Sequence, residues 1–163
     1  MSTPSLDWSD GLALNHPQMD QTHQEFVALL ATVRGALDDG DPQGGLQAFE
    51  LLIEHTVDHF GREDGWMQVT GFAPENCHTR QHATVLKLMR EVVRLARDES
   101  RWEPMHVLVS ELALWFPQHA QAMDAGLVQH MREVGFDPAT GTMNTPPAER
   151  DTAHCGGCGC GGH

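Results

Sequence analysis

Four helix-length stretches, each with a proline near its start and only a few residues from the next, constrain this chain more than any other feature of its sequence. Proline in the first turn of a helix costs nothing, because the N–H it lacks would have no partner there. Pro17, Pro42, Pro74 and Pro104 therefore mark starts, and the helical blocks run roughly 17 to 38, 42 to 68, 74 to 98 and 104 to 123. The breaks are Asp39-Gly40-Asp41, Thr70-Gly71-Phe72-Ala73 and the segment from Glu99 to Glu103. Connections this short force neighbouring helices to run antiparallel.

Every block carries one apolar stripe at helical spacing, which is the face that must be buried. The stripes are Met19, Phe26, Leu30, Val33 and Leu37; Phe49, Leu52, Thr56, Phe60 and Met67; Val85, Met89, Val92 and Ala96; and Leu108, Leu112, Trp115 and Phe116. A further turn around Leu127 to Met131 predicts a short fifth helix, ended by Gly135. The expected fold is all-α: an up-down-up-down four-helix bundle with a short C-terminal helix and a flexible Cys/His/Gly tail. Residues 1–135 make the domain and 136–163 the tail, where Pro, Gly, Thr and charged residues dominate.

Within that frame the histidines are the anomaly. There are 11 in 163 residues, although imidazole is no filler for a helix surface and is costly to bury without a partner. Set against the stripes, His23, His59, His78, His82 and His119 fall in register with the core. Glu63 follows His59 by four residues, a spacing that turns about 40° on a helix and keeps both side chains on one face. His78 and His82 repeat that geometry. Asp124 is five residues after His119, which on a straight helix aims it away, so this stretch requires a distortion or a helix end; Pro117 and the Asp124-Ala125-Gly126 break could supply it.

A single His-x3-His pair carries little weight in so histidine-rich a chain, and His55 with His59 is such a decoy. Agreement in depth carries more. His23 lies near the start of the first helix, His59 and Glu63 near the end of the second, His78 and His82 near the start of the third, and His119 with Asp124 at the end of the fourth. In an up-down-up-down bundle these four helix ends share one end of the molecule, so seven side chains meet at one level of the core.

Such a buried cluster is untenable without a cation: the imidazoles would lack partners and two carboxylates would be desolvated without countercharge. Nitrogen and oxygen donors without thiolate suit iron, manganese or zinc. Seven protein ligands exceed what one ion takes, so two ions with Glu63 and Asp124 bridging is the economical arrangement. Histidines split three and two, plus one solvent-derived bridging oxygen, leave one ion with six ligands and the other with five. The open position suits a small diatomic molecule.

At these residues the sequence resembles the bacterial hemerythrin-like family, over roughly residues 8 to 135. The matching pieces are Met19-Asp20-Gln21-Thr22-His23, His59-Phe60-Gly61-Arg62-Glu63, His78-Thr79-Arg80-Gln81-His82, and the run from Trp115 to Asp124. The resemblance implies that His78, His82 and His119 hold one iron and His23 and His59 the other, with the open site on the two-histidine iron. Departures from the family pattern are His55, where relatives often have Tyr, Asp64, where a second Glu is common, Trp66 in place of a smaller aliphatic residue, and Phe116 where many relatives carry Leu.

The function this implies is reversible O2 binding for storage, delivery or sensing by a protein that need not be an enzyme. Only two of the seven ligands are carboxylates, so high-valent iron is poorly stabilised. A net charge of -13 argues against nucleic acid or an anionic membrane as partner. The N-terminal residues have neither the basic nor the apolar region of a secretion signal, so a cytoplasmic protein is expected. His16, His55, His106 and His130 read as solvent-facing or as partners of the ligands, and Phe60, Met67, Trp115 and Phe116 as core that also keeps the centre dry. The tail supplies alternatives. His154, Cys155, Cys158, Cys160 and His163 could wrap a soft ion such as Zn, Cu(I) or a cluster iron, which would make the chain an iron- or metal-handling protein. A redox enzyme scavenging peroxide or nitric oxide is the third possibility.

Overall fold

In the computed structural model, which describes residues 4–72 and 77–144, four long helices form the bundle: α1 (Pro17–Asp38), α2 (Pro42–Thr70), α3 (Cys77–Glu99) and α4 (Glu103–His119). A π-helical turn (Ala120–Asp124) leads from α4 into a short α5 (Ala125–Glu133). α1 packs on α2, α2 on α3, α3 on α4 and α4 back on α1, closing the ring. No strand is present among the described residues beyond one isolated bridge, Asp137 to Thr142.

The helix ends follow from local chemistry. α1 starts at Pro17, with the His16 Nδ1 accepting from the Met19 N–H at 3.2 Å. α2 starts at Pro42, with Asp41 Oδ1 accepting from the Gly44 N–H at 2.9 Å, so both helices have a side-chain cap on an otherwise orphaned donor. α2 stops at Gly71, whose φ of 67° is the left-handed conformation glycine adopts freely; Phe72 N–H then donates to Met67 O at 2.8 Å. Gly135, φ 62°, ends α5 in the same way, with Phe136 N–H donating to Met131 O at 2.8 Å.

The predicted stripes are buried, apart from Trp115, which is half-buried and lies against the core edge. The core is split in two. The larger part holds Phe26, Phe49, Leu52, Met89, Met105, Leu112 and Phe116; the smaller, at the end covered by α5, holds Met19, Met67, Leu127, Val128 and Met131. Between Met19 and Phe26 on α1, and between Phe60 and Met67 on α2, the inward positions are polar, and this level divides the core.

Past α5, residues 137–144 fold back in a hydrogen-bonded turn rather than leaving as a tail. Asp137 N–H donates to Thr142 O and Gly141 N–H to Asp137 O, both at 2.8 Å, and Asn144 N–H returns to Val134 O at 3.0 Å. Asp137 Oδ1 also accepts from the Ala139 N–H, so the polar residues that read as tail chemistry make their bonds with one another. No helix among the described residues is long and apolar enough to cross a membrane.

Candidate metal centre

The seven side chains singled out by register meet at the dividing level. Their residues are 2% exposed or less, and Glu63 and Asp124 are 0% exposed. α1 delivers His23, α2 His59 and Glu63, α3 His78 and His82, α4 His119, and the π turn Asp124. In that turn Ala125 N–H donates to Ala120 O, an i to i+5 bond, which brings Asp124 back over His119 and sets Oδ1 3.0 Å from the His119 Nε2. The distortion that the five-residue spacing demands is therefore this turn, and it follows Pro117, which lies inside the last turn of α4.

Each carboxylate divides its two oxygens between two groups of imidazoles. Glu63 Oε1 lies 2.6 Å from His59 Nε2 and 3.9 Å from His23 Nε2, whereas Oε2 lies 3.1 Å from His82 and 3.4 Å from His78. Asp124 Oδ2 lies 3.0 Å from His23, and Oδ1 lies 2.8 Å from His78 and 3.0 Å from His119. Two donor sets result: Glu63, His78, His82, His119 and Asp124, and His23, His59, Glu63 and Asp124.

Of these separations only His59 Nε2 to Glu63 Oε1 is a hydrogen bond. His23 Nε2, His78 Nε2, Glu63 Oε2 and both oxygens of Asp124 are buried and make none. Atoms that aim their lone pairs at a common point from about 2.1 Å away, at right angles, stand about 3 Å apart. The donor set fits a pair of first-row cations.

Electrostatics at the level points the same way. Burial opposes the charged form of His23 and of His78, yet Asp124 and Glu63 outweigh it and push each imidazole up to about 9. Burial likewise opposes ionisation of Glu63, and the imidazoles beside it, His59 foremost, hold its carboxyl well below the usual range. Burial and Glu63 oppose ionisation of Asp124, but His119 and His23 keep it below its usual range too. The protein carries two buried anions here and needs positive charge beside them, from protons or from metal.

The sequence profile of the Hemerythrin HHE cation binding domain matches residues 16–131. The chain belongs to this hemerythrin family. A protein of Ralstonia nicotianae named bacteriohemerythrin is 37% identical over 134 residues, 82% of this chain and 94% of its own length. The bacteriohemerythrin of Aquifex aeolicus is 25% identical over 114 residues, 69% and 87% of the two chains, and that of Pseudomonas aeruginosa strain PAO1 is 24% identical over 128 residues, 78% and 82%. No solved structure gives a significant match.

Within this hemerythrin domain the remaining histidines separate as follows. His55 pairs with Glu25 at 3.0 Å and turns its ring edge towards His59, with 6.1 Å between centroids. His16 caps α1, His130 bonds Thr70 O at 3.0 Å and so ties α5 to the end of α2, and His106 is half-buried on α4, away from the centre. The apolar walls are Phe60, stacked on His82 at 3.9 Å, and Phe116, edge-on to His23 at 5.0 Å and stacked on Phe26 at 4.6 Å. Trp115, half-buried, stacks on His119 at 4.3 Å.

Sequence reasoning assigned no role to two partners of the ligands, although it noted Asp64 as a departure from the family pattern. Asp64 Oδ1 accepts from His82 Nδ1 at 2.8 Å, and Gln81 Oε1 accepts from His119 Nδ1 at 2.9 Å. Both stand next to a ligand in the sequence, and for Gln81 that adjacency is the one signal. The tail residues His154, Cys155, Cys158, Cys160 and His163 lie outside the described residues.

Proposed function

We propose that this chain binds O2 reversibly at a di-iron centre held by His23, His59, Glu63, His78, His82, His119 and Asp124, with the open position on the two-histidine side. The observation that carries this is the division of each carboxylate's oxygens between a five-residue and a four-residue donor set. With one shared solvent oxygen the first set would offer six donors and the second five. When bound, two ferrous ions supply two electrons and a vacant coordination position to a diatomic molecule. The relatives' name, bacteriohemerythrin, supports the same reading.

The rest is done by the chain. Glu63 and Asp124 bring two negative charges against two dications, too few to stabilise strongly oxidised iron, which favours binding over oxidation of a substrate. Phe26, Phe60 and Phe116 on one side and Met19, Met67, Leu127 and Met131 on the other are buried and enclose the level in apolar surface. Exclusion of water denies protons to a bound ligand and slows its loss in reduced form. Asp64 and Gln81 fix which nitrogen of His82 and His119 carries the proton, leaving Nε2 of each free to bind metal.

Anaerobically reduced protein holding two irons per chain is expected to develop a visible charge-transfer band on exposure to O2 and to lose it under vacuum. Irreversible bleaching, with turnover of added peroxide or nitric oxide, would replace this reading by that of a scavenging redox enzyme.

A further inference from the structure

The two donor sets are not equally prepared for metal. In the three-histidine set, His82 donates through Nδ1 to Asp64 at 2.8 Å and its ring lies on Phe60, 3.9 Å between centroids and 7° from parallel. His119 donates through Nδ1 to Gln81 at 2.9 Å and its ring lies on Trp115 at 4.3 Å and 26°. Two of the three rings are thus held at the far nitrogen and across the face, while the third, His78, has a buried Nδ1 without a hydrogen-bond partner among the described residues and meets His82 and His119 edge-on. The two-histidine set has neither support in full. The Nδ1 atoms of His23 and His59 are buried and have no hydrogen-bond partner among the described residues. Their ring contacts are tilted or edge-on: Phe116 against His23 at 87°, the two rings against each other at 60°, and Phe60 against His59 at 50°.

An imidazole fixed in ring angle and tautomer binds metal with little further ordering, whereas a loosely held one must be ordered by the ion itself. The three-histidine set also offers five protein donors against four. We propose that the centre is loaded in a fixed order, the three-histidine position before the two-histidine position, and that Asp64 and Gln81 are the positioning residues that set the order. This rests on the di-metal reading above. The order has a functional sense: the coordinatively open ion enters last, beside a neighbour already in place, so an iron with a free position is never the only one present.

The test is an anaerobic titration of the metal-free full chain with Co2+, after alkylation of its thiols so that the cysteines do not compete. It is followed by visible absorption and by metal analysis. Two resolved steps are expected. His59→Ala should keep the tight first step, and His82→Ala should lose it. Asp64 has a side chain 43% exposed and Gln81 is half-buried, so their alanine variants can be made without opening the core. Asp64→Ala and Gln81→Ala should each weaken the first step by roughly 10- to 100-fold, and Asp64→Asn, which keeps an acceptor oxygen, should recover most of the loss. A single step taking up two equivalents together would overturn the proposal. So would loss of the tight step in His59→Ala, or a first step unchanged in both alanine variants. A folded, metal-free chain that takes up no Co2+ at all would overturn the di-metal reading itself.

Discussion

Stripping the metal should destabilise this domain by an amount that the two donor sets allow one to estimate. A ligand that binds only the folded state stabilises it by about 2.7 kcal/mol at a free concentration 100 times its dissociation constant and about 4.1 kcal/mol at 1,000 times. Two sets give about 5 to 8 kcal/mol. For a chain of this size each kcal/mol moves the melting temperature by about 2 to 4 °C, so scanning calorimetry of the reconstituted protein should show a midpoint about 10 to 30 °C above that of the chelated one. The difference should also depend on pH. Without metal, His23 and His78 titrate at about 9 when folded, against 6.5 as ordinary imidazoles. A raised folded value means that their stabilisation is complete below about 6.5 and is lost as pH rises through about 9. Glu63 and Asp124 are shifted down from 4.5 and 3.8, so theirs is present above those values and is lost as pH falls below them. The metal-free midpoint should therefore be highest near pH 5 to 6.5 and fall towards pH 9. In the loaded protein these rings carry metal in place of the proton and the alkaline fall should be absent, so the gap widens with pH. Equal midpoints for the two forms, or a metal-free protein that gains stability between pH 6.5 and 9, would refute the reasoning.

Two further substitutions probe the wall and the tail. Phe116 is 1% exposed and contacts both Phe26 and His23; Phe116→Ala should cost about 3 to 5 kcal/mol in denaturant unfolding and hasten autoxidation, while Phe116→Leu should cost less than about 1.5 kcal/mol. Deleting residues 151–163 should leave two irons per chain and the spectrum of the oxygenated protein unchanged, whereas loss of bundle iron would point to loading through the tail.

Most of the bundle was legible because its signals are local and redundant. Prolines at 17, 42 and 104 open α1, α2 and α4, where the missing N–H costs nothing, and Gly71 and Gly135 close α2 and α5, where the chain takes a positive φ that glycine adopts without strain. The seven clustered side chains were legible for a different reason: short connections make helix ends coincide, so register along each helix becomes depth in the molecule. What was not legible depends on contacts across helices. Nothing near Asp64 announces a partner 18 residues away on α3, and Gln81 meets His119 across 38 residues. Trp115 has the spacing of a core residue yet is only half-buried, because its ring is drawn onto His119 at the bundle's edge. The turn at 137–144 reads as tail because its polar side chains look destined for solvent, although the backbone bonds with itself.

The two buried carboxylates reach the same level by different local solutions. On α2 the partner of His59 is four residues on, regular helical spacing, and the longer Glu63 side chain spans what remains to both imidazole groups. On the fourth helix the acid is Asp124, one methylene shorter and five residues after His119, so the backbone has to move instead. It does so where it is already weak: Pro117 has no N–H to give to the preceding turn, and the helix relaxes into the i to i+5 bond of Ala125 to Ala120. A π turn costs more than the α turn it replaces, and such a cost persists where the surroundings fix the geometry. Here that geometry is Asp124 with one oxygen towards His23 and the other towards His78 and His119. A longer acid in a regular helix reaches both groups of imidazoles, as Glu63 does, whereas the irregular turn lets a short, stiff carboxylate span both, and two cations held there would be fixed in separation with less freedom than a longer side chain allows.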